Sequence, residues 1–367
     1  MLDRRFLLYF DWLSLALIII LSSLSLCFVY SATYKPDAAY SIYFYKQLFG
    51  ILSGFVIYFM CCAIDYRTLQ RWGYFCYIGL IGLLIITLVK GSIGMGAQRW
   101  INLGLFKFQP SELAKLFFPA FFSYYLFTEK EFKPYLSTFM PIVSIVGCST
   151  LLIIKQPDLG TGLLILFSAS AMIWLSGIAK QIVFSTCLLL CISTPFVVKT
   201  LKPYQKKRIA VFLGEGDSKR ERYHIEQSKI AIGSGGLLGK GFLQGTQTRL
   251  QFLPESRTDF IFSVIGEELG FIGAFIIILL YIILFGRCLM LTTTINNFYA
   301  QLLAIGLVIQ SLISTIVNIG MVIGLLPVVG IPLPFMSYGV SHLWITFASF
   351  GWFNGIIMRR FYMNKGH

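Results

Sequence analysis

Long apolar runs recur along the whole chain, at about 11–32, 47–64, 73–89, 111–127, 138–154, 159–177, 181–199, 259–290, 298–326 and 335–357. A helix needs about 20 apolar residues to cross the hydrocarbon core of a bilayer. These runs predict an all-α polytopic membrane protein of about ten transmembrane helices. Only 13% of residues are charged, against about 25% in soluble domains, so a pair of soluble domains is excluded. The 34 Phe, 19 Tyr and 6 Trp exclude a disordered chain. The first run, 11–32, is too long for a signal-peptide core and is expected to be retained as a helix.

An even number of helices places both termini on one side. With the termini inside, the inner connections hold eleven Lys and Arg: Arg4, Arg5, Arg67, Arg71, Lys130, Lys133, Lys180, Arg287, Arg359, Arg360 and Lys365. The short outer connections hold six: Lys35, Lys46, Lys90, Arg99, Lys107 and Lys155. This bias predicts cytoplasmic termini. It also makes 201–257 the one large extracytoplasmic loop of a single membrane domain, 1–367. The loop carries eleven Lys and Arg against five Asp and Glu. Its 57 residues stand near the limit of about 60 beyond which loop charge stops setting topology, so its charge is read as attraction to an anionic substrate or to head groups. The net charge of +14 is likewise assigned to topology and the lipid bilayer, not to nucleic acid. The eight Cys lie in or beside apolar runs without a CxxC pair and are expected to be buried thiols.

Within the loop, Ile225 to Ile232 is expected to form a short surface helix. The run Gly233-Ser-Gly-Gly-Leu-Leu-Gly-Lys-Gly241 follows. It lacks the GxxxxGK[ST] spacing of a nucleotide loop. Its glycines suit a backbone that passes close to a ligand or partner.

Ionisable residues at membrane depth are costly and mark candidate sites. Four segments bring ionisable or other polar groups to that depth, all toward the outer side. The first is Gly94-Met-Gly-Ala-Gln-Arg-Trp100 with Gln109-Pro-Ser-Glu-Leu-Ala-Lys115. Pro110 suits a helix start, and Glu112 and Lys115 share a face. The two form either a simple ion pair or a cation site for a phosphate. Arg99 and Trp100 stand at an interface position. In the second, Gln156-Pro-Asp-Leu-Gly-Thr161, Asp158 fits a helix N-cap. The third is Phe252 to Gly270, with Thr258 as a cap and Asp259, Ser263 and Glu267 along one flank of a single long helix. There Asp259 reads equally as a dipole-stabilised surface group and as a general base. The fourth runs from Asn318 to Gly339, where Pro327, Pro332 and Pro334 forbid regular helix. Such backbone makes a re-entrant turn or a cavity wall. Gly320 and Gly324 are expected to allow close helix contact.

Together these segments resemble the SEDS family (shape, elongation, division and sporulation). The matching motifs are Gly94–Lys115, Gln156–Thr161, Arg208-Ile-Ala-Val-Phe-Leu213, Gly235–Gly241, Phe252–Gly270 and Asn318–Ser341. One departure is Ser337-Tyr-Gly-Val-Ser341, where Val340 stands in place of the family's glycine. The resemblance implies a peptidoglycan glycosyltransferase that joins lipid II units at the outer face of the cytoplasmic (inner) membrane, in cell elongation and shape. By motif, it implies that Asp259 is the catalytic carboxylate needed for polymerisation, a candidate general base, and that Lys115, Arg99, Trp100, Glu112 and Asp158 are substrate-binding residues. It implies inversion at the anomeric carbon and a class B penicillin-binding protein, a transpeptidase, as partner. It names no firm cofactor; a divalent cation is an option for the leaving group. Two rival readings fit the same residues, a lipid-linked precursor flippase and a non-catalytic scaffold for a transpeptidase.

Overall fold

The structure, a computed structural model, describes residues 8–34, 40–94, 97–102, 107–128, 136–178, 181, 219–250, 252–253 and 255–360. Nine of the ten apolar runs fall within these residues, and each is helical. Beyond its first residue the run 181–199, together with loop residues 201–218, lies outside the described residues. The first helices are α1 Trp12–Ala32, α2 Ile42–Ala63 and α3 Tyr66–Lys90. A short antiparallel sheet follows, β1 Ser92–Gly94, β2 Ala97–Asn102 and β3 Lys107–Phe108, in that order. A 3₁₀ turn at Pro110–Leu113 leads into α4 Ala114–Thr128, then α5 Leu136–Lys155 and α6 Leu159–Leu175. The remaining elements are α7 Lys219–Gly235, the single turn α8 Thr246–Arg249, α9 Ile261–Thr292, α10 Phe298–Val322 and α11 Val340–Arg359. Among the described residues, six helices are long and apolar enough to cross a membrane: α1, α2, α3, α5, α9 and α10.

Side-chain caps set several helix starts. Ser41 accepts from Phe44 N at 3.2 Å, Asp65 from Arg67 N at 2.9 Å and Asn297 from Ala300 N at 2.9 Å. Each satisfies a backbone donor that has no partner within its helix. Two apolar clusters build the interior. One joins α1, α2, α9, α10 and α11. The other joins α3, α4, α5 and α6. In lipid, apolar burial gives little drive for helix association, so close approach through small residues matters. Gly351 of α11 shows this: a Cβ there would lie 2.5 Å from the Tyr58 carbonyl of α2.

The third polar segment departs from expectation. Residues 261–292 do not form one continuous helix, because Gly270 takes φ 67°, ψ −163° and breaks it. The glycine-rich run seals the break. Phe271 N donates to Gly236 O at 2.9 Å and Ile272 N to Leu237 O at 3.2 Å. Lys240 N donates to Glu267 O and Gly241 N to Glu268 O, both at 3.0 Å. Donors and acceptors freed by the break are thus paired, as backbone at membrane depth requires. Gly239 has φ +81° and its Cα faces the Glu268 carbonyl. A side chain there would be strained and would collide with main chain. This close approach explains the glycines. The partner of the run is the chain's own helix.

Three smaller expectations are also corrected. Thr258 does not cap α9: the helix starts at Ile261 with Phe260 at the cap position, and Thr258 Oγ1 turns back to Glu255 O at 3.2 Å. Glu255 has φ 53°, which bends the chain ahead of the helix. The loop helix is longer than expected and is not confined to the surface. Ser228 is fully buried, bonding Ser263 Oγ at 2.8 Å and Val322 O at 2.6 Å. The Gly320 and Gly324 pair receives the chain's own Leu326 and Lys229 side chains, and Gly324 (φ +81°) ends α10.

Candidate functional site

The proline-rich connection between α10 and α11, residues 323–339, brings the four polar segments to one end of the bundle. Asn318 Nδ2 donates to Asp259 O at 2.9 Å and to Ile331 O at 2.7 Å, tying the third segment to the fourth. Ser337 Oγ donates to Thr258 O at 2.7 Å, and Tyr338 N donates to Arg257 O at 2.9 Å. A Cβ built on Gly330 would sit 3.4 Å from Asp259 Oδ2, so the carboxylate lies over that glycine. A Cβ on Gly160, two residues after Asp158, would lie 2.5 Å from Val329 O. The same connection therefore touches the second segment. His342, just beyond it in α11, touches the first.

Asp259 is half-buried in the turn 255–260, ahead of α9. It does not share a helical flank with Ser263 and Glu267, because the helix has not begun. Both of those residues are fully buried under the loop. Glu267 accepts from Lys240 Nζ at 2.7 Å and from Gln247 N at 2.9 Å. Its role is to hold α8 and the glycine-rich run onto α9.

Asp158 caps α6, accepting from Thr161 N at 3.3 Å. It does more than cap. Arg99 Nη1 lies 3.1 Å from Oδ1, while Gln109 Nε2 at 2.5 Å and Ser111 Oγ at 3.2 Å donate to Oδ2. One buried carboxylate thus joins the sheet, the 3₁₀ turn and α6. The Arg99 guanidinium also stands 5.7 Å from the Trp100 ring. The register Ser92↔Trp100 and Ile101↔Phe108 fixes this pair on the sheet.

Glu112 and Lys115 form the expected pair, with Lys115 Nζ 2.8 Å and 2.7 Å from the two carboxylate oxygens. Both side chains are buried. The 3₁₀ turn carries Ser111 into the Asp158 cluster and Glu112 into this one, so the two clusters share a backbone. Sequence reasoning missed the third member. His342 Nδ1 lies 3.2 Å from Glu112 Oε2. The signal was present: His342 is an ionisable residue inside an apolar run, by the same rule that selected Lys115.

The arrangement is that of a polytopic membrane protein whose carboxylates and cations gather at one end, about an irregular connection. A family model for cell cycle proteins, FtsW/RodA/SpoVE, matches residues 8–360. The chain belongs to this family. It is 40% identical over 308 residues to peptidoglycan glycosyltransferase MrdB of Escherichia coli K12, covering 83% of each chain. It is 35% identical over 352 residues to stage V sporulation protein E of Bacillus subtilis, covering 93% of this chain and 95% of that one. It superimposes with a TM-score of 0.81 on a chain of a solved peptidoglycan synthase complex in which polymerization and crosslinking are coordinated. That match has 26% identity and covers 97% of this chain and 99% of the other.

Proposed function

We propose that this chain is a peptidoglycan glycosyltransferase that joins lipid II disaccharide units into glycan strands, in cell elongation and shape. It works at the outer face of the cytoplasmic (inner) membrane as a single domain, with both termini in the cytoplasm and 201–257 outside. The supporting observation is the gathering of Asp259, the Arg99–Asp158 cluster and the Glu112–Lys115 pair about one connection. Lipid II carries a long prenyl tail, a pyrophosphate and a disaccharide, so a site at the membrane boundary lets the tail remain in the bilayer.

In this reading Asp259 accepts the proton from the acceptor's GlcNAc 4-hydroxyl as that oxygen attacks the donor's anomeric carbon. The single displacement inverts the anomeric centre, and pyrophosphate leaves. Cations stabilise the departing charge. The Arg99 side chain is 21% exposed and that of Lys115 is 8% exposed. Arg99 is therefore the first cation a phosphate meets. Each cation already rests on a carboxylate and shares that contact with the ligand. Trp100 packs beside Arg99 and keeps its guanidinium at the interface.

The direct test is polymerisation of lipid II by purified protein, alone and reconstituted with a class B penicillin-binding protein. Glycan strands are expected, in greater amount with the partner. Absence of polymer under both conditions, with lipid II moved across vesicles instead, would replace the polymerase reading with the flippase reading. Sidedness is tested separately in a variant freed of its eight native cysteines. A cysteine at Gln244 is expected to react with an impermeant thiol reagent in intact cells, and one at Thr293 is not. The reverse labelling would overturn the outer placement of the site.

A further inference from the structure

His342 lies in the first turn of α11 and is 7% exposed. Its Nδ1 stands 3.2 Å from Glu112 Oε2 and 3.5 Å from Lys115 Nζ. These two are the charged groups that face the ring. Lys115 directs its ammonium at both Glu112 oxygens, at 2.8 Å and 2.7 Å, so the carboxylate is ionised and offers only lone pairs. An unprotonated Nδ1 would set lone pair against lone pair at Oε2. Oε2 is also the nearer neighbour, at 3.2 Å against 3.5 Å for Lys115 Nζ, so the geometry favours a proton on Nδ1 that is donated to Glu112. In the neutral ring, Nε2 is then an acceptor. That atom is buried and has no hydrogen-bond partner among the described residues. Buried polar atoms in native structures are almost always paired with protein, water or ligand.

We propose that His342 Nε2 is a ligand contact that accepts a hydrogen bond from a hydroxyl or amide N–H of a bound glycan. Glu112 fixes the tautomer, and Lys115 keeps Glu112 ionised. The assignment deepens the polymerase reading, and it divides the site by chemistry. Phosphate oxygens only accept hydrogen bonds, so a neutral Nε2 repels them and selects the sugar or its N-acetyl group. Arg99 and Lys115 are left to face the pyrophosphate. Protonation would convert Nε2 from acceptor to donor, so a contact with an amide N–H, and the selection against phosphate oxygens, is lost as pH falls through the titration of this histidine.

The chain has three histidines, which suits ¹⁵N-histidine NMR of the full protein in nanodiscs. The expected spectrum assigns His342, by its loss in His342→Gln, to the Nδ1-protonated tautomer. Added lipid II then shifts its Nε2 resonance. In kinetics, His342→Gln is expected to raise KM for lipid II about tenfold, the scale of one hydrogen bond. It leaves kcat little changed and flattens the acidic limb of the pH profile. A structural role alone would lower the thermal stability of His342→Gln and leave KM and the acidic limb unaltered, which overturns the proposal. An Nε2-protonated tautomer, or a resonance that lipid II does not move, also overturns it. Wild-type protein that binds lipid II through His342 but makes no polymer would overturn the polymerase reading alone. Active wild-type protein with an unmoved His342 resonance would overturn the contact alone.

Discussion

Asparagine in place of Asp259 is expected to reduce glycan polymerisation by about 10²–10⁴-fold, the usual scale for loss of a general acid–base group. The substitution keeps size and most hydrogen bonding but removes proton acceptance. Folding should survive it. The turn around Asp259 is fixed by main-chain acceptors: Asp259 O takes Asn318 Nδ2 at 2.9 Å, and Thr258 O takes Ser337 Oγ at 2.7 Å. Neither bond uses the carboxylate. A dipole-stabilised acid near a helix start would instead affect stability by about 0.3–1 kcal/mol and leave turnover nearly unchanged. The two outcomes differ by orders of magnitude in rate. Near-normal polymerisation by well-folded Asp259→Asn protein would remove Asp259 as the base.

Lys115→Met is expected to have the largest effect on stability. It leaves the Glu112 carboxylate buried with His342 Nδ1, a neutral donor 3.2 Å away, in place of a cation. Removing one partner of a buried ion pair typically costs about 3–5 kcal/mol. Unfolding measurements in detergent should show such a loss, with most of it recovered in Glu112→Gln/Lys115→Met. Turnover then separates the two readings of the pair. If stability returns and polymerisation does not, the pair serves the substrate, through Lys115 itself or through the His342 tautomer that Glu112 fixes. If both return, the pair serves only to hold the 3₁₀ turn against α4 and α11.

How much of this was legible in the sequence depended on whether a feature is local. Apolar length announced the helices, because a span must be about 20 residues wherever it packs. The Glu112–Lys115 pair follows from i,i+3 spacing, and the Asp158 cap from its place before α6. What Asp158 also holds could not be read, because Arg99 and Gln109 reach it from a sheet and a turn far away in sequence. His342 was hidden for a related reason: a lone histidine beside Ser341 shows no partner until α11 is laid against the 3₁₀ turn. The break at Gly270 was missed because Glu-Glu-Leu-Gly-Phe reads as continuing helix. A signal existed in two glycine sets, Gly233 to Gly241 and Gly266, Gly270 and Gly273, which suit two backbones in close contact. Sequence order alone does not pair them.

The seal over the broken helix has a further consequence, for chain length. Surface loops ordinarily tolerate insertions, because their backbone is hydrated and unconstrained. The stretch 236–241 is different, since its residues meet residues 267–272 through four main-chain hydrogen bonds running in both directions. One residue added or removed between Gly236 and Gly241 puts the two pairs of bonds out of step. Backbone groups would then be stranded beside Phe271 and Ile272, where the surface is apolar and water is scarce. This portion of the loop is held to a fixed count of residues, although it crosses no membrane.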